Sequence, residues 1–145
     1  MRSSFTATGA QPFFQSRLVN TTGGPVTLTF AWSDTTHFSP AWSTNGSFDT
    51  YFSFLNATGA PLSGTLTLLD RAGAVVSTFP ISIPAGQSVS TNTSALGVTR
   101  NRTGTTKFVH NGPPGSIVTE AAIANFTISP AYVQPVKFQP VRDAK

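Results

Sequence analysis

Thr50-Tyr-Phe-Ser-Phe-Leu-Asn-Ala-Thr-Gly59, Gly64-Thr-Leu-Thr-Leu-Leu-Asp-Arg-Ala-Gly-Ala-Val-Val76 and Ile83-Pro-Ala-Gly-Gln-Ser-Val89 are the stretches that decide the fold. They alternate apolar or aromatic residues with short polar ones, the two-residue period of a strand with one buried face. They break at Asn56-Ala-Thr-Gly59, Asp70-Arg-Ala-Gly73 and Pro84-Ala-Gly-Gln87. Asn and Asp bond the backbone through their side chains, Gly accepts positive φ, and Pro cannot continue a ladder.

Working outward, the same punctuation recurs at intervals of roughly eight to twelve residues, the spacing of a sandwich or barrel. It predicts strands over 13–19, 26–32, 50–55, 64–69, 74–83, 88–93, 105–110 and 117–128, with a long polar loop over 33–48. Pro80 marks its strand as bulged or at a sheet edge. Residues 119–125 are Ala-rich but too short for a self-standing helix, and read as strand. The tail from 129 carries Pro130, Pro135 and Pro140, which suit an extended edge strand or linker.

One internal repeat is visible. Leu18-Val-Asn-Thr-Thr-Gly-Gly-Pro25 matches Phe54-Leu-Asn-Ala-Thr-Gly-Ala-Pro61, and each precedes an alternating strand. Residues 1–48 therefore read as an N-terminal β segment, a partial repeat; 49–128 as the main sandwich; and 129–145 as a Pro-rich extended tail. The three quoted stretches resemble the immunoglobulin-like β-sandwich repeats of large secreted and cell-surface bacterial proteins. In those repeats one strand ends in N-x-T/S-G, the next in D-x-x-G, and a third runs into P-x-G-x-S. The resemblance implies an antiparallel immunoglobulin-like β-sandwich and work as a spacer, adhesive module or assembly subunit. It implies no catalytic residue.

Composition narrows the function classes. Only 10% of the 145 residues are charged while 39% are hydrophobic, which excludes the low-hydrophobicity, high-charge profile of disorder. Polarity comes from 22 Thr and 16 Ser, and branched Thr fits a pleated surface. No cysteine is present, so disulfides and thiolate metal sites are excluded. The net charge of +4 is spread over scattered cations rather than a patch, so no nucleic-acid partner is expected. No apolar run is long enough for a membrane helix, and no membrane insertion is expected. No apolar segment follows Met1-Arg-Ser-Ser4 as in a signal peptide, so the chain reads as beginning inside a longer, secreted or surface-exposed parent.

The inventory for chemistry is thin: Asp34, Asp49, Asp70, Glu120 and Asp143 with His37 and His110. Asp34 and His37 in a polar loop are the nearest approach to a catalytic or metal pair, and a solvated loop explains them as well. His110 reads as a strand-end histidine bonding the following turn, and Asp70 as turn chemistry. Glu120 reads as a structural ion-pair member, with Lys107 or an arginine as partner. No metal-ligand, phosphate-loop or nucleophile motif is present, so neither enzyme activity nor a cofactor is expected.

Aromatic residues offer the other kind of site. Trp32, Phe38, Trp42, Phe48 and Tyr51 gather in or beside the predicted loop, where exposed rings could stack on sugars or dock on a neighbour. Trp32, Phe38 and Trp42, with Tyr132 and Phe138 of the tail, are the candidate contact residues. Six of the seven Asn stand in N-x-S/T: Asn20, Asn45, Asn56, Asn92, Asn101 and Asn125. The pattern fits glycosylation acceptors or, preferably here, turn chemistry. The expectation is a non-catalytic extracellular module acting in surface structure, adhesion or assembly, its partners copies of itself or adjacent modules, with the tail donated to an open sheet edge or, equally, both ends folded back onto the one sandwich as a monomer. Binding of surface glycans through the aromatics is the alternative.

Overall fold

A computed structural model describes residues 4–8, 27–33, 35–140 and 143–144, with side chains described for 35–140. The described residues are all-β, with no helix. The strands in chain order are β1 (Ser4–Thr8), β2 (Thr27–Ser33), β3 (Thr36–Ser43), β4 (Asp49–Asn56), β5 (Leu62–Asp70), β6 (Val75–Ile83), β7 (Ser88–Asn92), β8 (Thr103–His110), β9 (Ile117–Asn125), β10 (Tyr132–Lys137), β11 (Gln139–Pro140) and β12 (Asp143–Ala144). A four-stranded sheet, β10-β9-β4-β7, packs on a five-stranded sheet, β11-β3-β8-β5-β6, as an antiparallel β-sandwich. A small sheet joins β1, β2 and β12.

The inner pairs β4–β7 and β5–β8 match the B–E and C–F pairs of the immunoglobulin order when β3 is counted as the first strand. The flanking strands differ. Here the first strand, β3, pairs with β8, and β9 pairs with β4.

Two boundaries need correction. Residues 33–48 are not a polar loop: β3 lies within them and pairs along β8. The tail from 129 supplies an extended edge strand, as its prolines suggest: β10 pairs antiparallel with β9 at the edge of the four-stranded sheet. The one sandwich thus extends across both expected divisions, at 48 and at 128. The first copy of the internal repeat, 18–25, lies outside the described residues.

The core is filled by the inward half of each alternation: Phe52 and Phe54 of β4, Leu66 and Leu68 of β5, Ile81 and Ile83 of β6, and Phe108 of β8. Trp42 of β3 is buried among them, and its indole N–H donates to the Leu69 carbonyl at 2.8 Å. Leu69 follows a β-bulge, and Trp42 stands opposite Gly104 on β8. A Cβ at Gly104 would overlap that same carbonyl oxygen. Gly64 similarly leaves room for the Phe108 ring.

The ends of the sandwich are closed by polar clamps. Arg100 bonds Asp49 at 2.7 Å and the Gly46 and Phe48 carbonyls at 2.6 and 2.7 Å. Thr44, fully buried, bonds the Thr99 carbonyl at 2.9 Å. At Asp70 the carboxylate accepts from the Ala72 and Ala74 N–H groups, closing the β5–β6 hairpin.

Gly104→Ala should therefore destabilise the fold by about 3 kcal/mol, the upper end of overpacking costs. Gly59→Ala, with nothing within 4 Å of the added carbon, should leave stability unchanged. Urea denaturation of both variants is the measurement.

Candidate functional site

The candidate residues separate rather than converge. Trp42 is core, 1% exposed, because its one polar atom finds the Leu69 carbonyl; it offers no face to a ligand. Phe138 is half-buried, its ring against Phe52 and Phe54. Trp42 is thus a correction to the expected contact set, while Phe138 lines the trough described below. Phe38 remains exposed on β3, and Tyr132 is exposed on β10 with its ring edge-on to Phe48. The side chain of Trp32 lies outside the described residues.

The histidines belong to the interior. His37 meets Thr119 at 3.0 Å, a bond that crosses between the sheets from β3 to β9. The His37 and His110 rings lie 5.4 Å apart beside Phe108. The Gly112 N–H donates to His110 Nδ1 at 3.2 Å, so His110 bonds the following turn as expected. Glu120 projects from the opposite face of β9, outward, as alternation requires after the inward Thr119. His37 and Glu120 therefore cannot share a substrate, and Asp34 lies outside the described residues. Among the described residues no three His, Asp or Glu come close enough to hold a metal ion.

Glu120 also corrects the expected ion pair. Lys107 is on the other sheet. The residue opposite Glu120 across β9 and β10 is Lys137. Among the described residues the one ion pair is Arg100–Asp49.

The N-x-S/T excess has a structural cause. Asn56 is fully buried, its Nδ2 donating to the Ala60, Ile83 and Pro84 carbonyls at 2.7–3.2 Å. Its Oδ1 accepts from the N–H and hydroxyl of Thr58 at 2.9 and 2.7 Å. Asn125 repeats this acceptance with Thr127 at 3.0 and 2.7 Å. Asn92 and Asn101 bond the N–H groups of Ala95 and Gly46. At Asn56 and Asn125 the threonine two residues on supplies both donors, so at these two sites the spacing follows from turn geometry.

A trough of about 670 Å³ lies on the outer face of the four-stranded sheet. Two cross-strand rows form it: Pro135–Ala122–Tyr51 and Lys137–Glu120–Ser53–Ser90. The short side chains of Ala122, Ser53 and Ser90 make the floor. Ser53 is hydrogen-bonded to Ser88 at 3.1 Å. The Tyr51 ring stands beside them with Phe126 edge-on at 5.5 Å. On the same face Leu55, Val118 and Val133 are exposed by 39%, 50% and 52%, which makes it an apolar surface unusual for a sheet open to water.

The sheet edges are a different matter. The bonds Thr93 N–H to Thr50 O, Asn56 N–H to Gln87 O, Ala57 N–H to Ser116 O and Asn111 N–H to Ser63 O fix which backbone groups face which neighbour. By that parity Pro80 of β6 and Pro135 of β10 occupy positions whose N–H would point away from the sheet. Pro140 of β11 does the same, and Pro40 sits in the bulge of β3. The edge of β7 alone carries no proline, and it offers only Ser88, Ser90 and Asn92 outward. The Asn92 carbonyl is already bonded to the Leu96 N–H.

No protein-family model and no curated protein sequence matches the chain. In fold it is similar to the crystal structure of Thermotoga maritima 1070, with a TM-score of 0.60 and 13% identity over 71% of this chain and 90% of that one. At that identity the likeness is one of fold alone.

Asn56→Ala should cost about 3 kcal/mol, because it strands buried carbonyls and the Thr58 N–H. Asn45→Ala, at an exposed turn, should stay within about 0.5 kcal/mol of the parent. Thermal melts followed by circular dichroism separate the two.

Proposed function

We propose that the chain is a non-catalytic β-sandwich module of a secreted or cell-surface protein, and that it works by contact through the outer face of its four-stranded sheet. The observation that carries this reading is the combination on that face of a trough of about 670 Å³ with exposed Leu55, Val118 and Val133. Interaction surfaces on soluble domains are of this kind, apolar with a few placed polar groups. The low charge of 10% is consistent with close approach to a partner. The proline-bearing edges argue that contact is made by the face, not by the strand exchange that an open edge would invite.

A second reading is supported by the same trough. Tyr51 with Ser53, Ser90, Glu120 and Lys137 supplies a ring and hydroxyl or charged groups in one groove, the chemistry that holds a sugar. A glycan would then be recognised there and not at Trp42.

Ala122→Arg places a long cation on the trough floor without touching the core. Self-association by analytical ultracentrifugation and binding to a glycan panel should be measured for parent and variant. The contact reading expects one of these to be present in the parent and lost in the variant, at unchanged melting temperature. A parent that shows neither, or a contact indifferent to Ala122→Arg, would overturn it.

A further inference from the structure

We infer that the occupant of this face is a second copy of the same chain, docked about a two-fold axis in the plane of the interface, between β9 and β10. The inference rests on the contact reading above and names its partner.

Three features make the face complementary to itself. The first is charge. Glu120 and Lys137 stand directly opposite each other on adjacent strands, both pointing outward, and neither makes a hydrogen bond or ion pair among the described residues. A two-fold axis running along the strands midway between them brings each Glu120 over Lys137 of the other copy. One acid and one base in the row give two reciprocal pairs and no like-charge contact.

The second is shape. In the neighbouring row β9 presents Ala122 where β10 presents Pro135, and in the row beyond it Ala124 is buried beside exposed Val133. The same axis sets the low β9 side of one copy against the raised β10 side of the other, in both directions. The third is the route. Pro80, Pro135 and Pro140 remove outward N–H groups from their edges, so copies that associate have a face available and not those ladders.

The test is a charge exchange read by sedimentation equilibrium at submillimolar concentration, with parent, Glu120→Lys and Lys137→Glu studied alone and the two variants mixed in equal amounts. The parent is expected to dimerise. Each single variant sets like charges against each other twice and should associate roughly tenfold more weakly or worse. The mixture should regain the dimer, because the lysine introduced in one variant then meets the glutamate introduced in the other, while the unchanged Lys137 and Glu120 form the second pair. That recovery cannot come from repulsion within one chain, which mixing leaves unchanged. Far-ultraviolet circular dichroism should show all proteins folded.

A monomeric parent overturns the inference, as do single variants that dimerise like the parent or a mixture that stays monomeric. A monomer that binds glycan and loses it on Ala122→Arg removes the second copy but leaves the contact reading standing. Association lost on Ala122→Arg yet indifferent to Glu120→Lys rejects this pairing alone.

Discussion

The hydrogen bond from the Trp42 indole to the Leu69 carbonyl is the constraint on which the sandwich turns. An indole is large enough to fill the space between two sheets, but its N–H must be satisfied if it is buried. The chain meets that demand with a register shift at Leu68–Leu69, where β6 carries the extra residue Val76, and a glycine in β8 at 104. Three strands of one sheet are thereby fixed to one another in register at a single point. The bulge on the β3 side, between Ser39 and Trp42, accommodates Pro40 at the same level. Large apolar residues from β4 and β5 then pack beside the indole.

Polar residues play the corresponding role at the ends. Asn56 ties the end of β4 to carbonyls from two other segments, and Arg100 ties the turn after β3 to the loop before β8. These side chains hold the connecting segments to the ends of the strands. Their cost is directional precision, which is why so many turns spell Asn-x-Thr. The outer face of the four-stranded sheet is free of such obligations, and its side chains are left to meet something else.

Much of the fold was legible because it is local. The alternation around Phe52 and Phe54, the Asp70–Gly73 turn and the edge character implied by Pro80 each depend on a few neighbouring residues. β3 was missed because His37, Ser39 and Pro40 interrupt its apolar pattern. The burial of His37 depends on a partner far away in sequence, Thr119. Trp42 and Phe138 looked exposed for the same reason: their surroundings in sequence are polar while their surroundings in space are not. The trough was the least legible part. Its rows combine β10, β9, β4 and β7, and pairing among distant strands leaves no signature in one sequence.

The outward prolines have a bearing on how three sheet edges resist further pairing. Most β-proteins keep their edges from sticking by surrounding them with lysine or glutamate, a defence that salt screens. This chain, with 10% charged residues, has little of that repulsion to spend. Pro80, Pro135 and Pro140 replace it with a steric and hydrogen-bonding defect built into the backbone, which ionic strength does not weaken. On those three edges the obstacle to pairing is therefore covalent rather than electrostatic.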